Sequence, residues 1–221
     1  MRATRINRGG LAVALILVAS LTSTVSADMV FNTGNNQYTN VNIQADQSAM
    51  TILANVDSDA NNVITFRGAD AGPSFVPIVL HGQHGVAFVE AFNPVDTIYR
   101  FTIRADSNHY ITAADWKLDA APPVDGTVSF LAYDSGGNLI PPVGGLNTFA
   151  ISHNGQNPYG FTTTNGSLVR TLVIESTVPM LDIKQVSVNT AVPEPGSVAL
   201  LGLGGCLLVA RRFVRRRCQP A

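Results

Sequence analysis

The chain has 221 residues, 46% hydrophobic and 13% charged, with 14 Lys and Arg against 15 Asp and Glu, a formal net charge of −1. Arg2, Arg5 and Arg8 stand at the start and five arginines between residues 211 and 217, so residues 28 to 192 keep six basic groups against 14 acids, near −8. That balance excludes a nucleic-acid face, which needs basic surface for the phosphates; with both cysteines at 206 and 218, it also leaves a body that folds without disulfides or thiolate metal sites.

In chain order, the three early arginines precede an apolar run from Leu11 to Leu21, broken only by Ser20, and then Val25-Ser26-Ala27. A basic start, an apolar stretch and a cleavage-type tripeptide form a secretory leader, cut by signal peptidase after Ala27. The run is shorter than the ~20 residues a spanning helix needs. Phe31 to Asn42, "FNTGNNQYTNVN", reads either as a loose lead-in or as a first edge strand.

"DSDANNVITF" follows, with Asp57, Asp59 and Asn61 at alternate positions and Ile64 where a calcium loop locks its backbone. Hard cations want several oxygens close together, which this spacing supplies. Against it stand Asn62 where the loop has glycine and Gly68 where a glutamate closes the site. Calcium is the one cofactor raised, beside the plainer reading of an acidic turn between strands.

Short β-branched and aromatic runs then recur at 63–67, 75–80, 86–92, 97–104, 111–117, 128–133, 168–176 and 181–188. "TIYRFTIR" alternates cleanly, Tyr99, Phe101 and Ile103 to one side and Arg100, Thr102 and Arg104 to the other, as a half-buried strand does. Turn formers separate the runs: Pro122-Pro123, Asp134 to Asn138, Pro141-Pro142, Gly144-Gly145, Asn154-Gly155 and Asn165-Gly166. With no helical stripe and no internal repeat, residues 28–190 are expected to form one all-β domain, an antiparallel β-sandwich of jelly-roll type.

Candidate chemistry within that body is sparse. His81 and His84 in "HGQHG" lack a third ligand at metal spacing before Glu90, and His109 and His153 stand alone. Glu90 and Glu175 are the body's only glutamates and would have to be the pair a sugar hydrolase needs; no Gly-x-Ser-x-Gly elbow is present. Trp116, beside Asp115, Lys117 and Asp119, reads as core, with a glycan platform as the alternative.

Past Thr190 the pattern changes to Pro193-Glu194-Pro195, an apolar stretch from Gly196 to Ala210, and Arg211, Arg212, Arg215, Arg216 and Arg217. The stretch is short for a span, although Phe213, Val214 and snorkelling arginines lengthen it to about 196–214. The arginines place residues 218–221 in the cytoplasm and the body outside.

Pro-Glu-Pro, apolar segment and arginine cluster, in that order over residues 191–217, resemble the PEP-CTERM sorting signal. The resemblance implies export into the envelope of a Gram-negative, exopolysaccharide-producing bacterium. It also implies passage through the inner membrane and recognition of Pro193-Glu194-Pro195 by an exosortase. Because this tail is joined to unrelated bodies, some ice-binding proteins among them, it does not name the body's role. Residues 159–188 are similar to the closing strands of jelly-roll domains in PEP-CTERM proteins and carbohydrate-binding modules, which implies that Asp182 is structural or touches calcium. The resulting expectation is a non-catalytic surface or matrix protein, structural or adhesive toward exopolysaccharide. A calcium-dependent carbohydrate-binding module and an envelope polysaccharide hydrolase are the alternatives.

Overall fold

A computed structural model describes residues 28–33, 41–42, 47–56, 59–72, 74–83, 86–93, 96–155, 157–164 and 167–192. The expected signal helix with its cleavage point at Ala27, and the expected transmembrane helix with its flanking motifs, lie outside the described residues. Among those described, the only helical element is a short 3-10 turn at Val143–Gly145, and no helix is long and apolar enough to cross a membrane.

The strands are, in order, β1 (Asp28–Thr33), β2 (Val41–Asn42), β3 (Gln47–Ala49), β4 (Ile52–Val56) and β5 (Asp59–Ala69). Next come β6 (Phe75–Val76), β7 (Ile78–Gln83), β8 (Val86–Ala91), β9 (Ile98–Ala105) and β10 (Tyr110–Ala120). The series closes with β11 (Gly126–Tyr133), β12 (Leu139–Ile140), β13 (Thr148–Ile151), β14 (Asn157–Thr164) and β15 (Thr171–Ala191). Every strand pairing among the described residues is antiparallel; of the ambiguous segment 31–42, residues 31–33 belong to β1, which pairs with β14, while 34–40 lie outside the described residues.

The long strand β15 organises the whole. From Thr171 to Ser176 it lies between β9 and β11, in an arm that continues through β5 and β4 to β2. From Met180 onward it lies between β10 and β8, in a second arm that runs outward to β14 and β1 on one side and to β7 and β3 on the other. The sequence pattern suggests two strands here, 168–176 and 181–188; the chain makes one. Pro179, which has no N–H to give a ladder, stands where the register with β9 slips between Glu175 and Met180. Its carbonyl still accepts from the Ala121 N–H at 2.8 Å.

The same slip changes the reading of β9. Phe101 and Ile103 are buried and Arg100 and Arg104 exposed, as alternation predicts, but beyond the slip Ile98 rather than Tyr99 is the buried residue. At the opposite end of β15, Gln185 takes a positive φ of 52° inside a bulge where the pairings with β8 and β10 both shift.

Aromatic contacts join the arms. Phe130 of β11 has its ring centroid 5.4 Å from Phe31 of β1, 5.1 Å from Trp116 of β10 and 5.1 Å from Tyr159 of β14. Within the first arm, Phe66 stacks on Phe101 at 5.7 Å. Removing this much aromatic and β-branched surface from water is the main stabilising term in a body without disulfides.

Candidate functional site

Two surfaces gather polar side chains. The first is the outer face of β5, β9 and β15. In an antiparallel ladder directly paired residues point the same way; Thr65, Arg104 and Thr171 form one such row, and Arg67, Thr102 and Val173 the next. All of these but Val173 floor an open groove of about 520 Å³, walled by Phe75, Asp106 and Arg170. Arg67 donates from Nε to Thr51 Oγ1 at 2.9 Å, and its guanidinium lies 5.4 Å from the ring of half-exposed Phe75. Arg170 is only 8% exposed; its Nη2 donates to the Ser107 carbonyl at 2.9 Å and its guanidinium sits 4.6 Å over Tyr110.

Asp106 is the carboxylate on the groove wall, and its oxygens are committed. They accept from the backbone N–H of Val63 at 2.9 Å and of Asn108 at 2.7 Å and meet His109 Nδ1 at 2.8 Å. Burial works against ionisation, but these hydrogen bonds outweigh it and hold Asp106 below the usual carboxylate range.

The second surface is formed by β10, β15 and β8. Lys184 reaches Asp119 Oδ2 at 2.6 Å and Asp182 Oδ2 at 3.1 Å, with Phe88 5.7 Å away under the ammonium. Burial raises Asp182 despite Lys184, and Asp119 adds to the rise. Asp115, 2% exposed with its Oδ1 unpartnered, is pushed up to about 7 by burial, which Lys117 only partly offsets. His81 Nε2 meets Glu90 Oε1 at 3.2 Å, and His84 lies outside the described residues.

The residues named from sequence fall out as follows. Asp59 is exposed and accepts the Asn61 N–H at 2.9 Å, a local turn contact beside the β4–β5 connection; Asp57 lies outside the described residues. Asp182 sits in the other arm with Lys184 as its partner, and no group of three or more His, Cys, Asp or Glu among the described residues is placed to hold a metal ion. Trp116 is fully buried against Phe130 and so offers no surface platform; core is the reading the structure takes. Glu175 pairs with Arg100 at 2.7 Å in the first arm, and Glu90 belongs to the second. Arg67, Arg104, Arg170 and Phe75 belong to no site motif in the sequence. The outward positions of Arg100 and Arg104 were visible in the alternation, but their neighbours across the ladder were not.

The last described strand ends at Ala191, and residues 191–217 match a family model described as the PEP-CTERM protein-sorting motif. The chain carries a PEP-CTERM sorting signal. Pro193, Glu194 and Pro195 and the arginines at 211, 212, 215, 216 and 217 all fall within that PEP-CTERM match, outside the described residues. The motif implies an exosortase as processing partner and export to the cell surface or extracellular space. No curated protein matches the chain. Among solved structures, the enzymatically active domain of tailspike protein 4 from bacteriophage CBA120 is similar at 11% identity with a TM-score of 0.28, over 75% of this chain. The chain spans 19% of that tailspike chain's length.

Proposed function

We propose that this is an exported surface or matrix protein with a non-catalytic, glycan-adhesive β-sandwich body, delivered by an exosortase acting at Pro193-Glu194-Pro195. The observation that carries the reading is the direct junction between body and signal: β15 runs to Ala191, where the PEP-CTERM match begins. In this reading the exosortase acts on a motif that follows the last described strand by two residues, so cleavage removes none of the described strands. The leader before Ala27 supplies entry to the secretory route, and passage through the inner membrane is transient. The sandwich reading rests on the aromatic contacts between the two arms, and the jelly-roll reading on β15 serving both.

The test is mass spectrometry of the protein recovered from the surface and medium. The wild type is expected to lack the residues after the Pro-Glu-Pro motif, and a variant with Pro193, Glu194 and Pro195 all changed to Ala is expected to accumulate uncut in the inner membrane. An intact C terminus on wild-type surface protein would overturn exosortase cleavage.

A further inference from the structure

We infer that the groove on β5, β9 and β15 binds the carboxylates of an acidic polysaccharide, a polyuronate engaged by Arg67, Arg104 and Arg170. The inference rests on the exported, glycan-adhesive reading above and gives it a ligand class.

Charge is placed there against the trend of the molecule. Residues 28 to 192 stand near −8 with six basic groups, yet three of those six line this one groove. Asp106, the opposing carboxylate, already has Val63, Asn108 and His109 as partners and makes no ion pair with the arginines. Arg104 is exposed and has no hydrogen-bond or ion-pair partner among the described residues.

Arg170 is the more telling member. A guanidinium more than nine-tenths buried is normally paired, because removing a charge from water is costly unless a counter-charge and full hydrogen bonding replace the solvent. Arg170 has one carbonyl, one aromatic face and no carboxylate, and its Nη1 has no partner. Nη1 itself is closed off from solvent, so an anionic group in the groove balances the Arg170 charge through space while exposed Arg67 and Arg104 make the direct contacts. Arginine suits this task because its planar fork matches a carboxylate with two parallel hydrogen bonds.

The rest of the lining selects a sugar over a bare anion. Thr65, Thr102 and Thr171 set hydroxyls among the arginines, and Phe75 offers an aromatic surface beside Arg67. That mixture of an apolar face with a few polar and charged groups is what small-molecule sites use to orient a ligand, and ~300–1,000 Å³ is their usual size. A DNA duplex, at one charge per ~1.7 Å of axis, fits poorly on a short basic strip bounded by an acidic body. A polyuronate spreads its charges more thinly and intersperses them with hydroxyls.

Isothermal titration of the full-length chain tests this with short oligogalacturonates, the same oligomers reduced at the carboxyl group, and single-stranded DNA of equal charge. Oligogalacturonate is expected to bind, and to bind about tenfold or more weakly in Arg104→Ala, the size of one lost charge-assisted contact. Arg100→Ala, outside the groove, is expected to leave affinity within about twofold, a distinction that net charge alone would not produce. Arg104 and Arg100 are both exposed, so neither variant depends on rescuing the core. Equal binding of the reduced oligomers would overturn the anion site while leaving glycan adhesion standing. Binding of neither sugar would overturn both, and tighter binding of DNA, or equal losses in the two variants, would overturn the polyuronate site.

Discussion

Asp115 shows how one buried carboxylate shapes the stability of this body. Its folded value is pushed up to about 7 from the ordinary 3.8, so between those values the folded state holds a proton that the unfolded chain releases. Its contribution to stability is therefore fully retained below about pH 4, falls as pH climbs toward 7, and is constant above that. Asp115→Asn removes the dependence; the variant is expected to exceed the wild type at pH 8 by on the order of 2 kcal/mol, and to lose that advantage near pH 4. Urea melts across that range check it, and parallel curves for the two proteins would refute the assignment. The sequence showed Asp115 beside Trp116 but not its burial, because neighbouring residues in a strand face opposite ways and both are buried here. In the same way Trp116 was legible as a large apolar residue, while its contact with Phe130 waited on the fold.

Elements rich in β-branched and aromatic residues were readable, whereas β4, with Ala54 and Asn55 at its centre, and β14, which opens on Asn157-Pro158 and contains Gly160, were not. The strands around Val63, Ile98, Ile111 and Val128 carry enough periodicity to declare themselves. Strands β2 and β12 have two residues each, too few to show a period of two; β6 lies inside the predicted run 75–80, which the chain divides into β6 and β7. The groove was hidden for a related reason: Arg67, Arg104 and Arg170 come from separate parts of the chain, and only pairing places them together. The bulge in β15 also leaves no sequence mark, since Gln185 is an unusual choice for a positive φ of 52°. Gln185→Gly relieves a left-handed conformation that costs a side-chain-bearing residue roughly 1 kcal/mol. The expected result is a melting temperature a few degrees higher, from scanning calorimetry; a lower one would show that the Gln185 side chain contributes more than its backbone costs.

At the scale of the molecule, the body and its sorting signal share one strand. β15 is an interior strand through most of its length, hydrogen-bonded to β9 and β11 in one arm and to β10 and β8 in the other. The chain leaves this strand at Ala191, on the way to the PEP-CTERM motif. When the C-terminal end is held by an enzyme or membrane and the body adheres to a polymer, tension runs along the axis of β15. Ladder hydrogen bonds lie across that axis, so the pull loads many of them together in shear instead of unzipping them singly. Single-molecule stretching through Ala191 is expected to give one abrupt, high-force rupture, whereas pulling β1 away from β14, its one ladder partner among the described residues, is expected to peel it at low force. The strand that carries the address is thus also the body's mechanical spine.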